Sequence, residues 1–90
     1  MKSVEYHSEV GVEFLEDFGI GIYDFISMIE LDPSWHYSLE IQTLMLAGHK
    51  PEHRVELHAS GDYWELLTRF RISEEEFIWF VLQYPNNNIH

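Results

Sequence analysis

Apolar residues recur at helical spacing through the first third of the chain. Over residues 10–31 they fall within an arc of about 120° at 3.6 residues per turn, which predicts one amphipathic helix. The apolar set that defines this face is Phe14, Leu15, Phe18, Ile22, Phe25, Ile26 and Ile29. Asp32-Pro33 ends the helix, because the residue before a proline is disfavoured in the α region. Gly19 and Gly21 each cost about 1 kcal/mol inside a helix, so they either kink it or divide it into two shorter helices.

Beyond this helix the apolar period changes to two, as in half-buried strands. Alternation over 35–45 predicts a first strand, alternation over 54–59 a second, and alternation over 63–72 a third. Ser60-Gly61 lies between the last two and is typical of a tight hairpin turn, since glycine reaches positive φ at no steric cost. The pattern therefore predicts a three-stranded antiparallel meander.

The third strand carries the clearest division between two faces. Its inward positions are Trp64, Leu66, Thr68, Phe70 and Ile72, and its outward positions are Tyr63, Glu65, Leu67, Arg69 and Arg71. A helical pattern competes over 62–72, because Tyr63, Leu67 and Phe70 also fit successive turns. The alternation continues through Ile72, which favours the strand.

A second helix is signalled after the third strand. Ser73 and Glu76 stand three residues apart before an apolar run, the form of a capping box. The helix behind them runs to about Tyr84 and is stopped by Pro85. The predicted fold class is α+β, in the order helix, three-stranded antiparallel meander, helix. Both helices are expected to pack on one face of the sheet, and the other face to meet solvent.

The composition is that of one small folded domain. The chain has 90 residues, of which 46% are hydrophobic and 16% aromatic, too many for an acidic disordered segment. We expect a single acidic α+β domain over residues 1–85 and a flexible tail over 86–90. The chain has no cysteine, which excludes disulfides, thiolate metal sites and a cysteine nucleophile, and favours a cytoplasmic location. No stretch has the form of a signal peptide or a membrane span.

The charge is strongly negative and unevenly distributed. Sixteen Asp and Glu stand against five Lys and Arg, a net charge of −11. Residues 3–48 contain no Lys or Arg, and they hold the carboxylates Glu5, Glu9, Glu13, Glu16, Asp17, Asp24, Glu30, Asp32 and Glu40. Such a surface repels nucleic acid and anionic lipid, so we expect neither as a direct partner. A basic protein is the partner that this charge favours.

The predicted site lies on the side of the first helix opposite its apolar face. Four carboxylates occupy that side, and no lysine lies among them. Glu13 and Asp17 form an i,i+4 pair of like charge, which destabilises a helix. Exposed tyrosines beside carboxylates are typical anchors of protein interfaces. The predicted partner-binding residues are Glu13, Glu16, Asp17, Tyr23, Asp24 and Tyr63.

Metal and catalytic signals are weak in this sequence. The histidines cluster only at His49, His53 and His58. A zinc site built from the first two needs helical spacing, whereas Pro51 between them indicates a turn. There is no G-x-S-x-G nucleophile motif, and the glycine pair at 19–21 lacks the rest of a phosphate-binding loop. We therefore expect no metal, no cofactor and no enzymatic activity.

The sequence predicts a small binding protein that inhibits or sequesters a basic protein. A nuclease or another nucleic-acid-handling protein is the most concrete target, as for an immunity protein, an antitoxin or a DNA-mimicking inhibitor. The alternative is a homo-oligomeric interaction or scaffold module whose acidity only aids solubility. In that alternative a homodimer forms through the outward sheet face, which buries Tyr63 and Leu67 against a second copy. Arg69 and Arg71 would then pair with Glu40 or Glu56. The partner itself is not specified by the sequence.

Overall fold

A computed structural model describes residues 1–85 and shows an α+β fold. Within these residues there are three strands, four α-helices and one 3₁₀ turn. In chain order they are β1 (Lys2–Gly11), α1 (Val12–Phe18), α2 (Ile22–Leu31), the 3₁₀ turn (Pro33–Trp35), α3 (Leu39–Leu46), β2 (Glu52–Leu57), β3 (Tyr63–Ile72) and α4 (Glu74–Gln83). The tail predicted at 86–90 lies outside the described residues.

The strands form one antiparallel sheet in the order β1-β3-β2. β1 pairs with β3 along its whole length, from Lys2 opposite Ile72 to Gly11 opposite Tyr63. β2 pairs with the other side of β3, so both β1 and β2 are edge strands. The predicted three-stranded antiparallel sheet is confirmed. The predicted meander is wrong, because β3 rather than β2 is the central strand and β1 and β2 are not neighbours. The predictions of a strand near 54–59 and of a strand, rather than a helix, over 63–72 are also confirmed.

The first strand lies elsewhere than predicted. It is β1, whose inward positions are Val4, Tyr6, Ser8 and Val10. Residues 35–45 were expected to be that strand, and instead they contribute to the 3₁₀ turn and to α3. Their buried side chains are Tyr37, Ile41 and Leu44, a spacing that places them on one side of a helix rather than one face of a strand.

The long helix predicted over 10–31 is divided into α1 and α2. Gly19 closes α1 in the left-handed region at φ 69°, which is costly for any residue with a Cβ. Its N–H donates to the Glu16 carbonyl at 2.9 Å, and the next N–H donates to the Leu15 carbonyl at 3.1 Å. Gly21 then stands at the N-cap of α2. Of the two expectations for the glycines, division of the helix is the correct one.

The capping box at the start of α4 is confirmed. Ser73 Oγ accepts from the Glu76 N–H at 3.1 Å, and a Glu76 carboxylate oxygen accepts from the Ser73 N–H at 3.3 Å. This exchange satisfies two donors that a helix N-terminus otherwise leaves free.

The core combines the inward sheet face with side chains from all four helices. Its buried members from the sheet are Val4, Val10, Leu66, Phe70 and Ile72, and those from the helices include Leu15, Phe25, Ile29, Ile41 and Phe80. Four helices therefore contribute where two were expected. Among residues 1–85, no helix has the length and apolar run needed to cross a bilayer.

Candidate acidic binding surface

Three carboxylates stand side by side on the outward face of the sheet. The register puts Glu9 of β1 opposite Glu65 of β3, and Glu56 of β2 opposite the same residue. Like charges directly opposite one another destabilise a sheet. None of the three forms an ion pair with another residue in the described range. Arg54 lines the same surface pocket as the three carboxylates but forms no ion pair with them. Within residues 1–85, the row is therefore a local cost to folding that no ion pair compensates.

The other end of the same face is balanced. Arg69 Nε lies 3.0 Å from Glu5 Oε1, and Arg71 Nε lies 3.1 Å from Glu52 Oε1. These pairs neutralise two carboxylates on β1 and β2. The surplus negative charge of the sheet is consequently confined to the end that carries Glu65.

That end of the sheet is where β1 passes into α1. Gly11 lies opposite Tyr63, and the Val12 N–H donates to the Asp62 carbonyl at 2.9 Å. The carboxylates of α1 therefore follow Glu9 of the sheet row by four to eight residues in the sequence. We call this group the acidic end, and its members are Glu9, Glu13, Glu16, Asp17, Glu56, Asp62 and Glu65. No ion pair within residues 1–85 involves any of them.

The predicted carboxylates of α1 differ in how the helix treats them. Glu13 lies in the first turn of α1, where the helix dipole stabilises negative charge. Glu16 and Asp17 lie in the last turn, where the dipole opposes negative charge and where α1 has no basic residue. Asp24 lies in the first turn of α2 and has the same structural explanation as Glu13. Glu16 and Asp17 are thus the predicted site residues that helix stability does not explain.

The two predicted tyrosines are separated. Tyr63 lies beside the acidic end, and its ring stacks on His58 with centroids 4.4 Å apart. Partial burial and the nearby carboxylates, Glu9 first among them, raise the pKa of Tyr63. Tyr23 lies exposed on the first turn of α2, with Asp24 beside it. No ring contact or ion pair in the described range joins Tyr23 to the acidic end.

A cluster of aromatic rings lies next to the acidic end. The periodicity of the sequence predicted that these rings belong to the core. The cluster consists of Phe14 and Phe18 on α1, Phe25 on α2, and Trp35, and we call it the aromatic patch. Ring centroids are 4.8 Å apart for Phe14–Phe18, 6.0 Å for Phe18–Trp35 and 5.3 Å for Phe25–Trp35. Phe14 and Trp35 are each 42% exposed and Phe18 is 53% exposed. Exposed aromatic rings that lie in a group are typical of binding surfaces. The sequence could not reveal this group, because the i,i+4 spacing of Phe14 and Phe18 is also that of core residues.

A chain of polar groups runs from the exposed carboxylate of Glu30 to the buried hydroxyl of Tyr37 under the sheet. The Tyr37 hydroxyl is 2.6 Å from His53 Nε2 and 3.4 Å from Thr68 Oγ1. On its other side, His53 Nδ1 is 3.6 Å from Glu30 Oε1. The order carboxylate, imidazole, hydroxyl also occurs in catalytic triads. Here Tyr37 is only 3% exposed, and burial raises the pKa of its hydroxyl to about 12, so the group stays protonated and has a structural role.

Burial disfavours the charged form of two histidines near this chain of polar groups, which lowers the pKa of each. Burial lowers the pKa of His53 below 6.5, although Glu30 acts in the opposite direction, and burial also lowers the pKa of His36. Stability from the neutral rings is fully present above about pH 6.5 and is lost as the pH falls towards the lowered folded-state values. We expect the urea unfolding midpoint to be lower at about pH 5.5 than at about pH 7.5. The loss is at most about 1.4 kcal/mol per pH unit for each histidine.

Histidine variants separate this effect from the titration of carboxylates. His53→Gln is expected to flatten the pH dependence, whereas His7→Gln, on the outward sheet face, retains it. An unchanged pH dependence in His53→Gln would contradict the assignment.

The histidines with candidate metal-ligand spacing are held apart by other contacts. His49 Nε2 lies 2.6 Å from Glu76 Oε2, His53 contacts Tyr37, and His58 stacks on Tyr63. Over the described range, no group of three or more His, Cys, Asp or Glu side chains is placed to hold a metal ion.

No protein-family model, curated protein or solved structure matches the chain. Its own fold and surface define a small acidic α+β domain. Unpaired carboxylates gather at one end of that domain, beside exposed aromatic rings.

Proposed function

We propose that the chain is a small, non-enzymatic binding protein that inhibits or sequesters a basic protein in the cytoplasm. The most concrete target is a nuclease or another protein that handles nucleic acid, as for an immunity protein, an antitoxin or a DNA-mimicking inhibitor. The observation that carries the proposal is the acidic end, where three carboxylates stand in a row across the sheet and those of α1 follow in the chain, none of them in an ion pair within residues 1–85.

The proposed mechanism is electrostatic. Neighbouring strands are about 4.8 Å apart, so Glu9, Glu65 and Glu56 present three negative charges across roughly 10 Å. Such an array suits a Lys/Arg groove that normally holds phosphates, and it accelerates association in a way that salt weakens. Phe18 and Trp35 supply apolar area that loses water on contact. Charge then selects the partner, and the aromatic rings hold it.

Affinity capture with paired charge variants tests this proposal. The wild-type chain, a Glu16→Lys/Asp17→Lys variant and a Glu74→Lys/Glu75→Lys control are immobilised and exposed to native extract. The control has the same change in charge, but its substitutions lie in the first turn of α4. We expect wild type and control to retain basic proteins at low salt, and recovery by Glu16→Lys/Asp17→Lys to fall about tenfold or more. High salt should release the partner from the wild type.

The recovered partner provides the decisive assay. Its nuclease or nucleic-acid-binding activity should be inhibited by the wild-type chain and by the control, and not by Glu16→Lys/Asp17→Lys. Equal recovery on both variants, or a set of retained proteins that is not basic, would rule out the acidic end as the binding surface.

The alternative of a homo-oligomeric module is favoured by a different surface from the one predicted. Arg69 and Arg71 on the outward sheet face already pair within the chain. On α4, by contrast, four large apolar side chains are between 42% and 73% exposed, namely Ile78, Trp79, Val81 and Leu82. Size-exclusion chromatography with light scattering, at low and high salt, distinguishes the two functions. A monomer supports the binding protein, and a dimer that persists in high salt without capturing basic proteins supports the alternative.

A further inference from the structure

β1 has one long edge without a backbone partner. It is the outermost strand of the sheet, and its ten residues pair with β3 on one side only. In the described part of the chain, no backbone group of residues 3–10 hydrogen-bonds to anything outside that pairing. A row of free N–H and C=O groups of this kind is a template for a further strand.

β1 lacks most of the usual protections of an edge strand, and those it has are the charges of Lys2, Glu5 and Glu9. Edge strands are commonly short, or carry proline, a bulge or several lysines. β1 pairs residue for residue with β3 without a bulge, contains no proline, and has one lysine, at its first position. The opposite edge differs, because β2 has six residues, follows Pro51 and carries Arg54. The open edge of the sheet is therefore β1.

The space beside this edge has two chemically distinct sides. On the core side, a groove of about 350 Å³ runs between the end of β1 and the aromatic patch, with Val10, Phe14, Phe25 and Trp35 in its lining. On the outward side lies the carboxylate row that begins with Glu9. Side chains of a docked strand alternate between these two sides.

We propose that an extended basic segment of the partner adds to the free edge of β1 as a fourth strand. Its cations alternate with apolar residues, so that a cation lies beside Glu9 at the end of the carboxylate row and an apolar side chain enters the aromatic groove. Backbone hydrogen bonds supply affinity and the alternate side chains supply specificity, as in other peptides that extend a sheet. This inference rests on the proposed function and names the part of the partner that the acidic end recognises.

Charge selects this occupant over a second copy of the chain. A second β1 would bring its own Glu5 and Glu9, within a chain of net charge −11, against the same carboxylates. A segment that carries lysine or arginine beside Glu9 instead gains an attraction to a carboxylate that has no ion pair within residues 1–85.

Synthetic octapeptides test the proposal directly. The probe alternates lysine with valine and phenylalanine, and its control has the same composition with the lysines in one block. We expect the alternating peptide to bind the full chain at least about tenfold more tightly by calorimetry. It should also slow hydrogen exchange at those β1 amides that point away from β3. Two N-methylated peptides complete the test, one methylated at the odd-numbered backbone nitrogens and one at the even-numbered. Only one of these sets of N–H groups points towards β1, so one peptide should lose binding and the other should keep it.

Two tryptophan variants provide the control on the protein side. Trp35→Ala removes a wall of the groove and is expected to weaken the alternating peptide about tenfold. Trp79→Ala removes a similarly exposed ring on α4 and should leave the affinity unchanged. Equal binding of both peptides, insensitivity to the phase of N-methylation, or no binding of either peptide would overturn strand addition. None of these three outcomes would contradict the proposed function, which the capture experiment with Glu16→Lys/Asp17→Lys tests independently.

Discussion

Replacing Tyr37 by phenylalanine is expected to lower the free energy of unfolding by about 1–3 kcal/mol. The ring stays the same size, so no cavity forms. The loss arises because His53 Nε2 and Thr68 Oγ1 keep their burial but lose the hydroxyl at 2.6 and 3.4 Å. A buried polar group without a partner costs more than the hydrogen bond itself contributed. Urea unfolding near pH 8, where the histidines are neutral, measures the difference.

Two further variants make this prediction specific to the buried chain. Tyr23→Phe removes a hydroxyl from an exposed ring of α2 and should change stability by less than about 0.5 kcal/mol. The double variant Tyr37→Phe/His53→Leu removes both partners of the short hydrogen bond, so its cost should be smaller than the sum of the two single costs. A Tyr37→Phe variant as stable as the wild type would show that the hydroxyl contributes no net stability.

The elements that the sequence predicts correctly are those whose signal is local. β3 alternates between two faces without interruption, and its inward set matches the buried set, with Leu66, Phe70 and Ile72 almost fully enclosed. The capping box at Ser73 is also complete within four residues. Such patterns predict structure because the groups that satisfy them lie within the pattern itself.

The errors arise where tertiary contacts decide. Apolar and polar residues do alternate over 35–45, but Trp35 and Leu39 are exposed, so the apolar positions there do not report burial. In β1, Ser8 interrupts the apolar face, and the strand's partners are up to 70 residues away in the chain. A pairing at that separation leaves little trace in the local sequence.

The sequence predicts the negative charge of the candidate site but not the arrangement of its residues in space. The cation-free stretch 3–48 indicates an acidic surface, and Glu16 and Asp17 are exposed carboxylates in the last turn of α1. The row of Glu9, Glu65 and Glu56 depends on strand register, which no spacing in the sequence specifies. The aromatic patch depends on how α1, α2 and Trp35 meet, and its rings have the spacing of core residues.

Replacing Glu65 by lysine is expected to stabilise the protein while weakening its proposed activity. The substitution removes two like-charge cross-strand contacts, with Glu9 and Glu56, and creates two attractive ones in their place. Each contact of this kind is worth about 0.2–1 kcal/mol, so the free energy of unfolding should rise by about 1 kcal/mol. Because the same change places a cation in the middle of the acidic end, affinity for the basic partner should fall about tenfold or more. Urea unfolding and calorimetry measure the two effects on one preparation.

Opposite signs for stability and binding are what distinguish a binding surface from an ordinary solvated one. Glu74→Lys makes the same charge change in the first turn of α4. There the helix dipole favours the carboxylate, so this control should lose about 0.3–1 kcal/mol of stability and keep the partner. If Glu65→Lys gains stability and binds as tightly as the wild type, the carboxylate row is not part of the interface. If Glu65→Lys lowers the free energy of unfolding, the repulsion among the three carboxylates does not destabilise the fold as their register implies. Only a stabilised variant with weakened binding fits a row of carboxylates retained for a partner at the expense of the fold.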